Sequence, residues 1–335
     1  MSLSRPHLYF YLPGLFQPLM LWRKDFAFQP VADSFLRLCA SVETQQLPVI
    51  GLENTLLSCL GHPAGAEIPF AHYRYQLDFA ALPEQPLMCA DPVFLQSGID
   101  QVLLRPELPM LAMDAVTELL YVLNKHLAED GLQLCAAYPQ RWYLCGEKVA
   151  DPDLRTTPLS QALGQGIFPL LPQGNKRYWH RLLNEIQMVL HSHGNMSTNA
   201  LWLWGAAAAS HQPGLQMQAG FVGSSITAKA LAHAGDIDHQ AADKLAECRF
   251  ESGDYYIILE ELLLPAVSDN PQQWQQAMHE LAENWFLPAL NGLKSGKFEV
   301  SLSSCDGRIL HCQPPSSWKF WQTRAASWDQ LLQSA

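Results

Sequence analysis

The chain has 335 residues, 48% of them hydrophobic, enough to fill the core of two ordinary domains or of one large domain carrying an insertion. Its 32 acidic against 21 basic residues leave a net charge of -11, with no basic run or arginine stripe to offset it, and this excludes nucleic acid as a partner. The apolar amino end is broken by Pro13 and Pro18 and has no small-residue cleavage site, and no stretch approaches the roughly 18 unbroken apolar residues of a membrane span, so a cytoplasmic protein with no membrane partner is expected.

The opening "HLYFYLPG" predicts a short buried strand stopped by Pro-Gly. "VADSFLRL", from Val31 to Leu38, has helical spacing, and Asn54 to Leu60 repeats it weakly. Between Pro63 and Gln85 prolines, alanines and aromatics follow no period, which marks a segment boundary. "DQVLLRP" then reads as a strand. Asp114 caps a helix whose apolar positions Val116, Leu119, Leu120, Leu123 and Leu127 keep the 3.6 period up to Gly131. "LQLCAAY" and "RWYLCG" flank Pro139 and Gln140 as a hairpin, completing an α+β lobe over residues 86–164.

The next helix runs from Lys176 to His193 and is expected to bury Trp179, Leu182, Leu183, Ile186, Val189 and Leu190, with Gly194 as its left-handed stop. "ALWLWG" has the aromatic content of a central strand. "GFVGSS" with "ITAKALAHAG" reads as strand, turn and helix, and "DYYIILEELLLPA" as a long strand entering a loop. A helix follows from Pro271 to about Trp285. "KFEVSLSS" and "RILHCQ" bracket Asp306-Gly307, the strongest hairpin signal in the chain. Strand and helix alternate through this half, which predicts an α/β core of residues 1–85 and 165–335 with an antiparallel edge, carrying the 86–164 lobe as an insertion. The eight cysteines form no C-x-x-C pair and sit beside apolar residues, as buried free thiols do.

Several side chains invite a functional reading and also have a structural one. Asn184, Gln187 and His191 share one helical stripe opposite the tryptophan-leucine face, with Asn195 beyond the turn; they line a polar pocket or form a solvated face. His191 and His193 point in different directions on a helix and do not chelate, so no metal site is expected from them. Ser224 and Ser225 open a helix, where they cap it or help bind an anion. In the tail, Trp318, Trp321 and Trp328 either fold back on the body or form a partner-binding surface.

"ADPVFLQ", "LLNEIQMVLHSH" and "NALWLWG" occur in the order and at the spacing found in RpfE-type regulatory proteins of bacteria, which in turn resemble archaeal-type cofactor-independent phosphoglycerate mutases. The likeness covers roughly Leu87 to Gly205 and continues more weakly to the helix around Trp274. It implies an alkaline-phosphatase-like α/β core sheet with helices on both faces and an inserted smaller α+β lobe. The mutases work through two divalent metals held by Asp, His and Ser or Thr residues, with a serine-type nucleophile and several arginines on the phosphate. Here the first strand ends "YLPGLF" without an acid, and "IILEELLLPAVSDN" offers Glu260 and Glu261 but no histidine. "HGNMSTNALW" has no arginine, Gln96 stands where a basic residue is expected, and only Arg141 matches an arginine of the mutases. The resemblance therefore implies a metal-free, cofactor-free and catalytically silent relative, without phosphoglycerate mutase activity, acting on a protein partner in a regulatory or interaction role. The alternative is a binder of a small, possibly phosphorylated, anionic metabolite, or an enzyme of altered chemistry, at the junction of lobe and core, lined by Arg141, Asn184, Gln187, His191 and Asn195.

Overall fold

The computed structural model describes residues 5–98, 100–194, 197–211, 220–314 and 325–333. The chain divides into two compact units, one formed by 1–60 with 215–335 and the other by 61–214. The first unit begins with strand β1 (Pro6–Tyr11), helices α1 (Leu19–Asp25) and α2 (Asp33–Leu38), strand β2 (Val42–Gln46) and helix α3 (Leu52–Cys59).

The second unit opens with helix α4 (Phe70–Phe79), then β3 (Leu87–Val93), the short pair β4 (Leu95–Ser97) and β5 (Val102–Leu104), and α5 (Met113–Leu127). The hairpin β6 (Gln133–Tyr138) and β7 (Arg141–Cys145) turns at Pro139 and Gln140, as its sequence predicts. A short α6 (Leu159–Ala162), the long α7 (Lys176–Ser192) and β8 (Ala200–Ala207) complete the unit. Its antiparallel sheet runs β6-β7-β3-β8. The amphipathic α5 and α7 bury Val116, Leu119, Leu123, Trp179, Leu182, Ile186 and Leu190 against one face, together with Trp142 and Leu144. Each such buried side chain is worth about 1.5–3 kcal/mol of transfer free energy. Asn175 caps α7 by accepting the Tyr178 N–H.

The other face of this sheet is covered by α4, which the sequence does not announce. Its buried positions include His72 and Arg74, so no apolar period marks it. Phe70 stacks on Trp204 with ring centroids 4.9 Å apart. At Gly205 φ is +69°, and an added Cβ would stand 3.2 Å from Phe70 Cβ and 3.3 Å from the Ala71 nitrogen, which accounts for glycine after the tryptophan strand. The expected insertion of residues 86–164 is thus too short on both sides. Helix α4 precedes it, and α7 and β8, assigned from the sequence to the core, belong to the inserted unit because β8 pairs with β3.

The chain then completes the first unit with β9 (Gly220–Val222), α8 (Ile226–Gly235), β10 (Asp238–Gln240), β11 (Gly253–Ile258), α9 (Leu263–Val267), α10 (Pro271–Leu281), α11 (Leu287–Lys294), β12 (Glu299–Ser303), β13 (Arg308–Cys312) and α12 (Trp328–Gln333). "DYYIILEELLLPA" is therefore a strand only to Ile258, and its second half forms α9. The large sheet has the order β10-β9-β11-β1-β12-β13-β2, parallel from β10 to β12 and antiparallel at the hairpin and edge. Alternation along the strands gives it two characters. Leu8, Phe10, Leu12, Ile257, Val300 and Leu302 form an apolar face packed on α2, α10 and α11. His7, Tyr9, Tyr11, Tyr256, Ser301 and His311 fall on the other face, toward which α3 brings Cys59. The fold is mixed α/β, a large mixed sheet flanked by helices, as expected.

Candidate functional site

An open α/β sheet leaves a crevice beyond the carboxyl ends of its parallel strands. In the first unit a cleft of about 510 Å³ lies there, beyond β9 and β11. Gly223, Ser224 and Ser225 supply the turn after β9, and Glu260 and Glu261 the turn after β11. Asp243, Glu280, Asn284 and Trp285 complete the wall. Between α10 and α11 the helix widens into one π turn, Ala282–Phe286. Such a turn shifts side chains off the regular helical stripe, and this one delivers Asn284 and Trp285 to the cleft.

The cleft is acidic, and its described lining contains no Lys, Arg or His. Burial pushes the Glu260 carboxyl above the usual carboxylate range, against a smaller opposing effect of its hydrogen bond with Ser225. Glu261, exposed at the rim, is also raised, by partial burial first and then by like charge on Glu260, Asp243 and Glu280. Ser225 caps α8 by accepting the Thr227 N–H at 3.1 Å. An anion attracted to that helix start would meet the Glu260 carboxyl already there. The cleft consequently favours a cation over a phosphate.

The mutases' pair of metals does not fit the donor set of this sheet end. Leu12, not an acid, follows β1; it is fully buried and its N–H donates to the Ser303 carbonyl at 2.8 Å. Gly14, with φ +85°, packs its α-carbon so close to Leu262 that a Cβ would lie 2.6 Å from the Leu262 oxygen, and its own carbonyl accepts the Trp274 indole N–H at 2.9 Å. Among the described residues no three His, Cys, Asp or Glu side chains come together as a metal ion would require.

The pocket residues expected from the sequence do not form one group. Arg141 lies on the α4 face of the inserted unit's sheet, where its guanidinium bonds Asp78 through Nε at 3.0 Å and pairs through Nη2 at 2.9 Å. Asn184, Gln187 and His191 lie on α7, which packs on the opposite face through Trp179, Leu182, Ile186 and Leu190. Asn184 and His191 are exposed and Gln187 is half-buried. The sheet separates Arg141 from the stripe, so these residues line no common pocket. Asn195 lies outside the described residues, as do Trp318 and Trp321. Trp328 is not a surface residue: it is buried, stacks on Phe35 at 5.5 Å, and donates its indole N–H to the Pro30 carbonyl at 2.9 Å.

Two residues missed as a pair hold the inserted unit together. Asp91, the acid of "ADPV", accepts a two-pronged bond from Arg74, Nη1 to Oδ2 at 2.9 Å and Nη2 to Oδ1 at 2.8 Å. Both side chains are almost wholly buried. Trp204 Nε1 donates to Asp91 Oδ2 at 2.8 Å, while Arg74 also bonds the Tyr143 hydroxyl and the Trp142 carbonyl. Tyr143 in turn donates to Asp78 at 2.6 Å. Four of the five guanidinium N–H donors are thereby engaged, and Asp91 neutralises the charge that a substrate phosphate would need.

No family model matches the chain, and no curated protein sequence does. Among solved structures it is similar to the PH0037 protein of Pyrococcus horikoshii, with a TM-score of 0.48 and 13% identity over 93% of this chain and 88% of that one. It is also similar to a cofactor-independent phosphoglycerate mutase of Thermoplasma acidophilum, with a TM-score of 0.39 and 13% identity over 93% of this chain and 90% of the mutase. Divergence of this depth leaves each site residue to be judged on its own geometry.

Proposed function

We propose that this chain is a catalytically silent relative of the phosphoglycerate mutases and phosphatases, of the RpfE type, acting as a regulatory or protein-interaction protein. The observation that carries the reading is the packed end of β1, beside a cleft that offers carboxylates but no histidine. Where metal-dependent phosphoryl transfer needs several oxygen and nitrogen donors around an opening, Leu12 is sealed in the core, and burial pushes the Glu260 carboxyl toward its neutral form against the opposing pull of its Ser225 hydrogen bond. The sequence likeness from Leu87 to Gly205 supports the RpfE assignment, and within it Asp91 is neutralised by Arg74 of α4. A protein of this kind, incubated with phosphoglycerates and generic phosphomonoesters in the presence of Mn²⁺ or Zn²⁺, gives no turnover above a mock purification. Turnover that scales with the chain's concentration would overturn the reading.

A second reading is favoured by the cleft beyond β9 and β11: a small-molecule binder. Its four carboxyl groups select a compact cation such as an amine in place of a phosphorylated metabolite. A ligand at a hundredfold excess over its dissociation constant would stabilise the fold by about 2.7 kcal/mol. A thermal-shift panel of amines and polyamines in which none raises the melting temperature, or in which Glu260→Gln responds as the parent does, would refute it.

A further inference from the structure

The hairpin of the inserted unit brings two thiols together on the sheet face covered by α4. Cys135 on β6 stands opposite Tyr143 of β7, and Cys145 lies two residues further along β7, opposite Gln133, so alternation makes the two cysteines diagonal neighbours on the Tyr143 face. Their thiols hydrogen-bond, and this contact holds Cys135 below and Cys145 above the ordinary thiol range. Both are free and half-buried. Tyr75 of α4 roofs the pair: its ring lies 5.3 Å from that of Tyr143, and its phenol is raised first by burial and then by the field of both cysteines. On the β6 side the exposed Gln133 leaves the thiols open to solvent. Cys39 and Cys312 make the same thiol contact, but they are sealed in the core of the first unit.

Diagonal partners in an antiparallel pair have α-carbons about 7–8 Å apart, whereas a disulfide takes about 4.4–6.8 Å. The sulfurs of Cys135 and Cys145 therefore meet without being placed for a direct bond. One atom held between them, bonded to each sulfur at about 2.3 Å, spans a gap that a disulfide closes only if the strands move. Two thiolates select a soft ion. Zinc and iron complete their shells with four ligands, and among the described residues no third His, Cys, Asp or Glu joins this pair as a metal ion would require. Cys89 of β3, on the same sheet face, is wholly buried beside Arg74 and Tyr143. Copper(I), a closed-shell ion that two thiolates in line satisfy, is the ion whose needs the pair meets.

We propose that Cys135 and Cys145 form a binding site for one copper(I) ion, held between β6 and β7 by the two sulfurs. The ion takes both as thiolates, two protons pass to solvent, and copper keeps its oxidation state. An anaerobic titration of the reduced full chain tests this, with copper(I) supplied as its bicinchoninate complex, whose colour fades as protein withdraws the ion. The parent withdraws one equivalent per chain. Cys135→Ser and Cys145→Ser each bind it roughly a hundredfold or more weakly, having lost one of two ligands, while Cys248→Ser, which removes a half-buried thiol elsewhere, binds as the parent does. No loss of colour with the parent, or parent-like binding by both the Cys135 and Cys145 variants, overturns the site. Should those variants fail to fold, alkylation of the folded parent by iodoacetamide decides, read peptide by peptide. One equivalent of copper(I) then slows the reaction of Cys135 and Cys145 together by roughly tenfold or more and leaves Cys248 unchanged, and equal reaction of the pair with and without copper overturns the proposal.

Discussion

Neutralising Asp91 tests the claim that the acid of the "ADPV" stretch serves the inserted unit's core and no chemistry. In Asp91→Asn the shape is kept, but an amide nitrogen must face one of three donors, the two Arg74 prongs or the Trp204 indole N–H, and the guanidinium loses its counter-charge. Breaking one side of a buried pair costs about 3–5 kcal/mol, because the remaining charge stays buried without a partner. Arg74→Met strands the carboxylate in the same way and carries a similar penalty. The double variant Arg74→Met/Asp91→Asn buries no charge, so its loss falls short of the sum of the single losses by more than about 2 kcal/mol, a coupling of the size found for groups in one network. Urea unfolding followed by tryptophan fluorescence and far-ultraviolet circular dichroism measures all three. A chain with two units need not unfold in one step, and the transition expected to shift is that of residues 61–214, which contain Trp142, Trp179, Trp202 and Trp204. A loss under about 1 kcal/mol in Asp91→Asn, or simple additivity in the double variant, would refute the reasoning, since exposed pairs behave that way.

Three further outcomes follow from other parts of the molecule. Burial raises the Glu67 carboxyl to about 7 from 4.5, although it accepts N–H bonds from Thr156 at 2.7 Å and Ala206 at 3.1 Å and a bond from the Thr156 hydroxyl. The folded state then holds the extra proton between those values, so stability falls as pH rises through that window, by at most ~3 kcal/mol from this group; denaturant midpoints across it should lose that slope in Glu67→Gln, and an unchanged slope contradicts the assignment. Trp328→Ala removes a stacked, hydrogen-bonded core side chain and should cost about 3–5 kcal/mol in the first unit; a variant as stable as the parent would return Trp328 to the surface. Glu260→Gln keeps an acceptor for Ser225 and relieves an unpaired buried charge, so its melting temperature at pH 8 should equal or exceed the parent's, and a clear drop would mean the carboxylate is balanced by something else.

What the sequence reveals depends on whether burial leaves a period behind. Strand β8, helix α7 and the β12–β13 hairpin are legible because their buried positions are apolar and evenly spaced, or because Asp306-Gly307 marks the turn. Helix α4 is not, because it buries His72 and Arg74 where an apolar stripe would be sought, and the second unit therefore begins at residue 61 and not at the expected 86. Of the cleft, Glu260 and Glu261 are visible as an adjacent acidic pair, but Asp243, Glu280 and Asn284 reach it only through tertiary packing and a π turn that no local pattern announces. Arg141 was legible as a cation yet not as the partner of Asp78, which lies 63 residues away in the unrecognised helix. The stripe of Asn184, Gln187 and His191 is a face of α7, as its spacing predicts, and spacing alone could not say that a sheet stands between it and Arg141.

The proposed silence of this chain rests on the packed end of β1 and on an adjoining cleft that holds carboxylates and no histidine. The most direct measurement is metal content by mass spectrometry on protein purified without chelator or affinity metal. Zinc and manganese should stand far below one equivalent per chain, with no increase after incubation with either ion and desalting. Close to two equivalents of a divalent metal, retained through desalting and lost in Glu260→Gln, would contradict it and make this sheet end a metal-dependent active site.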